Sequence, residues 1–124
     1  MSLRRKEIMV VDDSETNLIL LQAVLEDAGY HVVLMDDSIK AVEYIRYNQP
    51  DLILLDLLMP DLDGFDFLKR LSNGSDKLTT PVVVVTAYSN EEYYRKAKGL
   101  GAWEVIDKPV NIPSLLNTVN KIIN

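Results

Sequence analysis

Residues 51–56 read DLILLD, an apolar run closed at both ends by aspartate. Two more runs have the same character: EIMVV at 7–11, which leads into Asp12 and Asp13, and PVVVV at 81–85, which leads into Thr86. All three are almost continuous in apolar residues, the pattern of parallel strands covered on both faces. HVVLM at 31–35 and WEVI at 103–106 are weaker candidates for a second and a fifth strand. Helical patterns fill the gaps. Ser14 is placed to cap a helix with Leu18, Leu21, Leu25 and Ala28 on one face, stopped by Gly29. Ser38 begins another that carries Val42 and Ile45 and ends before Pro50. A third runs from about Phe65 to Leu71, and Asn90 opens a fourth that stops near Gly99. Pro113 suits the first turn of a fifth, with Leu116, Val119 and Ile123 as its apolar stripe. Strand and helix alternate five times, which predicts a single α/β domain on a parallel sheet.

Composition narrows the function. The 124 residues are 48% apolar with mean hydropathy +0.01, as in a globular protein. No apolar run reaches the roughly 18–20 residues that span a bilayer, and no address signal is legible, so a cytoplasmic location without membrane association is expected. The absence of cysteine excludes thiol catalysis and cysteine-ligated metals. A net charge of −6 argues against a direct nucleic-acid grip, which needs Lys and Arg against phosphates. RRK at 4–6 is the only basic run and reads as a solvated terminus. Residues 1–5 are expected to be a flexible leader and 6–124 the domain.

The strand ends carry the chemistry. In an open parallel sheet, ligands bind beyond the carboxyl ends of the strands. Here those ends bear Asp12 and Asp13, then Asp56, Thr86, and Asp107 leading to Lys108. Any one aspartate there is more simply a turn residue or a cap. Their convergence is harder to explain so, because like charges ~4 Å apart repel by roughly 4 kcal/mol at an effective dielectric of 20. A hard-oxygen cluster without His or Cys suits Mg²⁺, with Mn²⁺ the alternative. An aspartate can act as a covalent nucleophile toward phosphorus, and phosphoryl transfer needs charge neutralisation more than acid–base help. Asp56 as nucleophile, Asp12 and Asp13 toward a metal, and Thr86 and Lys108 toward phosphoryl oxygens fill those roles.

These residues resemble the receiver domain of two-component response regulators. The likeness spans residues 6–123 and is carried by VVDDS at 10–14, LLDLLMPDLDG at 54–64, VVVTA at 83–87 and DKP at 107–109. It implies a flavodoxin-like, doubly wound five-stranded parallel sheet of order 2-1-3-4-5 with five flanking helices. It further implies phosphotransfer onto Asp56 from a sensor histidine kinase or phosphotransfer protein. By position, Asp12, Asp13, Asp56 and the Leu58 carbonyl would serve Mg²⁺, Thr86 and Lys108 would contact the phosphoryl group, and the peptide before Pro109 would be cis. Met59-Pro60 and Gly64 shape the loop after the third strand, the glycine by allowing positive φ. Ala87 leaves room beside Thr86. The fourth helix, fifth strand and fifth helix would form the responding face, open to a partner or a homodimer.

Three positions depart from the family pattern. Val105 stands where an aromatic usually precedes the lysine by three residues, so the usual Thr–aromatic switch is not expected. Trp103 should share the Val105 face and serve packing or a partner surface. Leu58 and Tyr88 flank the expected path of the hydrolytic water and predict slow self-dephosphorylation. His31 reads as structural or exposed. The alternatives are a haloacid-dehalogenase-type phosphatase and a receiver-like scaffold without phosphorylation. The first needs a second Asp where this chain has Leu58; the complete acid set speaks against the second.

Overall fold

A computed structural model of the chain describes residues 5–57, 64–73, 80–87 and 90–123. Its strands are β1 (Glu7–Val11), β2 (His31–Met35), β3 (Leu52–Leu55), β4 (Val82–Thr86) and β5 (Glu104–Asp107). The helices are α1 (Glu15–Asp27), α2 (Ser38–Tyr47), α3 (Gly64–Asn73), α4 (Glu91–Gly99) and α5 (Ile112–Ile123). All pairings are parallel and the sheet order is β2-β1-β3-β4-β5, as expected from the family likeness.

The continuous apolar runs are explained by burial on both faces. Met9, Val11, Ile53, Leu55 and Val84 point to one side, where Ala41 of α2, Phe67 and Leu68 of α3 and Ala97 of α4 cover them. Ile8, Val10, Leu52, Leu54, Val83 and Val85 point to the other, against α1 and α5. Each strand residue alternates between the two layers, so a one-residue slip of register would exchange the two sets. In register, Val10 lies beside Leu54 and Val11 beside Leu55, which brings the C-terminal ends of β1 and β3 level.

Local signals set most helix ends. Ser14 caps α1, accepting the Asn17 N–H on its hydroxyl, and Asn90 caps α4 by accepting the Tyr93 N–H. Asp37, the residue before Ser38, caps α2. Gly29 follows α1 with φ 98°, a left-handed conformation that glycine adopts without steric cost. Ala28, expected on the buried face of α1, is instead exposed at the C-cap, because the last helical turn ends before it. The stripe of α5 is also rotated from its expected position. Leu115 and Val119, one turn apart, are fully buried, whereas Leu116 and Ile123 are only partly covered. Trp103 precedes β5 at a bend and is 48% exposed, so it is surface; Val105 packs into the layer of α2, α3 and α4. His31 is exposed, the second of the two readings expected for it.

Candidate functional site

The site forms where β1, β3, β4 and β5 end. The Asp12 N–H donates to the Met35 carbonyl at 3.0 Å, and the Asp56 N–H to the Val11 carbonyl at 2.9 Å. Those main-chain bonds extend the ladder one residue past the strands and set the two aspartates side by side. Asp12 is 2% and Asp56 7% exposed, Thr86 is fully buried as the last residue of β4, and Asp13 faces solvent. One carboxylate oxygen from each of Asp12, Asp13 and Asp56 lies within 4.8 Å of the others, a group that could hold a metal ion. The convergence expected from the sequence is thus present in space.

Lys108 reaches this cluster from the end of β5. Its N–H donates to the Thr86 carbonyl at 2.9 Å, and the Lys108–Pro109 peptide is cis. Its ammonium donates to Asp12 Oδ2 at 2.8 Å and Asp56 Oδ2 at 3.2 Å. Burial by itself lowers the Lys108 pKa, but the hydrogen bond to Asp12 and the charges of Asp56 and Asp12 outweigh it and leave the value raised. The cation therefore stays charged and partly offsets the repulsion among three acids.

Gly64 has a different role from the expected one. Its φ is not positive; a Cβ added there would lie 2.3 Å from Leu57 Cα and 2.7 Å from the Leu57 carbonyl oxygen. Gly64 N–H also donates to that carbonyl at 3.0 Å. Glycine is needed because α3 begins against the backbone that follows Asp56. Leu58, Met59-Pro60 and Tyr88 lie outside the described residues, so the carbonyl ligand and the two water-path positions do too. Sequence reasoning missed two donors to Asp12: the Ser14 N–H on Oδ1 at 2.9 Å and the Asn17 amide on Oδ2 at 3.4 Å. The available signal was Asn17 itself, an asparagine in the first turn of a helix.

An open parallel sheet with acids and a lysine gathered at its carboxyl edge defines a flavodoxin-like α/β domain with an acidic pocket. The chain belongs to the response regulator receiver domain family, whose sequence model matches residues 8–120. It is a signalling domain of two-component systems. The protein PilH of Pseudomonas aeruginosa is 34% identical over 116 residues, 94% of this chain and 96% of PilH. The polar-differentiation response regulator DivK of Brucella anthropi is 28% identical over 118 residues, 95% of this chain and 96% of DivK. The solved structure of the chemotaxis protein CheY4 of Vibrio cholerae superposes with a TM-score of 0.88 at 29% identity, covering 96% of this chain and 99% of that one. Among the described residues no helix is long and apolar enough to cross a membrane.

Proposed function

We propose that Asp56 is the phosphoacceptor of this receiver domain, taking a phosphoryl group from a phosphohistidine of a sensor kinase or phosphotransfer protein. The observation that carries this reading is the Lys108 ammonium, 3.2 Å from Asp56 and 2.8 Å from Asp12 within the cluster of three acids. A carboxylate oxygen of Asp56 attacks phosphorus; an O–P bond forms, the donor's P–N bond breaks, and its electron pair leaves with the imidazole nitrogen. Lys108, already beside Asp56, takes up charge on one phosphoryl oxygen. Thr86, at the end of the neighbouring strand, serves a second with its hydroxyl. No residue acts as general base, since Asp56 attacks as the carboxylate.

The donor set fits a hard divalent cation. Asp12, Asp13 and Asp56 offer carboxylate oxygens alone, which favours Mg²⁺, or Mn²⁺ in its place. These residues would hold the ion, joined by the Leu58 carbonyl. Bound there, it would neutralise charge on the phosphoryl oxygens. Activation then acts through the face of α4, β5 and α5, where exposed Tyr94 and Trp103 suit a partner or a second copy of the chain.

Intact-protein mass spectrometry after incubation with Mg²⁺ and acetyl phosphate tests the reading. One phosphate adduct is expected, dependent on Mg²⁺ and lost in Asp56→Asn. Steady release of phosphate without an adduct would favour a phosphatase of the haloacid dehalogenase type, and neither outcome would favour a scaffold.

A further inference from the structure

A capping box places Glu or Gln three residues after the N-cap, and its side chain returns to the N-cap N–H. Helix α1 departs from that arrangement. Its N-cap is Ser14, and the residue three further on is Asn17, with a side chain one methylene shorter than glutamine. The Ser14 N–H goes to Asp12 Oδ1 at 2.9 Å. The Asn17 N–H is held by Ser14 Oγ at 3.4 Å, which fixes the residue, and its side-chain amide donates to Asp12 Oδ2 at 3.4 Å. Asp12 thus replaces the acid of the capping box from outside the helix. Asparagine is a poor helix former, so intrinsic propensity does not explain its place in this turn.

Asp12 Oδ2 also accepts from Lys108, at 2.8 Å. On the phosphoacceptor reading, Lys108 would turn to a phosphoryl group on Asp56, and that oxygen would then lose its shorter contact and keep the amide of Asn17. We infer that Asn17 is a positioning residue: with the Ser14 N–H it holds the Asp12 carboxylate in its metal-facing orientation while Lys108 changes partner. Asparagine suits this task because it donates without adding charge, whereas glutamate at the same place would bring a fourth carboxylate to the cluster. The inference rests on the phosphoacceptor reading above. Partners that orient a metal ligand typically alter metal affinity by 10–100-fold when removed, and the long 3.4 Å contact points to the lower end.

The test is Mn²⁺ binding, read by electron paramagnetic resonance without phosphodonor, in wild type, Asn17→Ala and Asn17→Gln. The Mg²⁺ dependence of phosphorylation by acetyl phosphate is measured alongside. Asn17→Ala is expected to weaken Mn²⁺ by about tenfold. The half-saturating Mg²⁺ should rise in parallel, while the rate at saturating Mg²⁺ falls by less than about twofold. Asn17→Gln, which restores an amide, should recover part of the loss. A purely structural role for Asn17 would lower the melting temperature and leave the Mn²⁺ constant alone. Wild-type affinity in Asn17→Ala, or a loss that Asn17→Gln does not reduce at all, overturns the inference. Wild-type protein that neither binds Mn²⁺ nor takes up phosphate overturns the phosphoacceptor reading and this inference together.

Discussion

Two ionisable clusters sit at opposite ends of the sheet, and their side chains behave differently. At the carboxyl edge Lys108 is shared by Asp12 and Asp56. At the amino edge the Glu7 N–H donates to Asp51 at 2.7 Å, and its carboxylate accepts the Tyr44 hydroxyl at 2.9 Å and lies 3.8 Å from the His31 imidazole. Burial, then the hydrogen bond to Glu7 and its charge, raise the Tyr44 pKa above its ordinary 10.0. A raised value means that the folded state keeps a proton the unfolded chain releases. The stabilisation is therefore complete below the ordinary value and is lost as pH rises through the folded one. Urea denaturation of wild type and Tyr44→Phe across that range checks this. The variant should lose about 1 kcal/mol at neutral pH, the worth of an ordinary hydrogen bond, and should decline less steeply in alkali. Parallel alkaline declines would show that Tyr44 is not the group responsible.

Among the helices, α4 has the fewest buried residues. Of its nine residues only Ala97 is buried, with Tyr93 partly covered. Its attachments include the Phe65–Tyr93 edge contact at 5.3 Å, Lys96 lying 4.3 Å from the Phe65 ring centroid, and the Lys98 ammonium bonded to the Trp103 carbonyl at 2.7 Å. Segments with few buried contacts open locally at low free energy. Amide exchange followed by mass spectrometry should thus find α4 exchanging well before β1, β3 and β4. Tyr93→Leu should speed α4 by about fivefold, as expected from the loss of an aromatic pair of about 1 kcal/mol, with the core strands unchanged. Exchange of α4 in step with those strands would refute the weak-anchor account. This polarity of α4 was legible in EEYYRKAK, as were the strands, because parallel strands buried on both faces leave unbroken apolar runs. The rotated stripe of α5 was not, since ambiguity arises wherever adjacent apolar residues such as Leu115 and Leu116 offer two helical faces. Asp12, Asp56 and Lys108 were readable from their places at strand ends. Gly64 was misread, because a glycine's close approach to a distant backbone leaves no mark in sequence that separates it from a turn.

For the molecule as a whole, the acid cluster is expected to be a source of instability that a bound cation would relieve. Three carboxylates meet within 4.8 Å and the described residues supply one lysine to them, leaving excess negative charge at the edge of the sheet. Both the folding free energy and the response to a cation follow from that imbalance. The unfolded chain separates Asp56 from the neighbouring pair Asp12 and Asp13, so the repulsion between Asp56 and that pair is confined to the folded state, and any ion bound there stabilises by mass action. At an Mg²⁺ concentration a hundredfold above its dissociation constant, the gain is about 2.7 kcal/mol, a shift of several degrees in a domain of this size. Asp13 is the exposed member and has no described hydrogen bond to Lys108, so neutralising it removes repulsion while leaving the Asp12–Lys108–Asp56 contacts in place. Thermal melts of wild type and Asp13→Asn, each with and without Mg²⁺, are expected to diverge in a specific way. Without metal the variant melts higher than wild type; with Mg²⁺ wild type rises and the variant moves little, so that their order narrows or reverses. A variant that melts lower than wild type in the absence of metal would mean that Asp13 stabilises the fold, and that the cluster is not held together against its own charge.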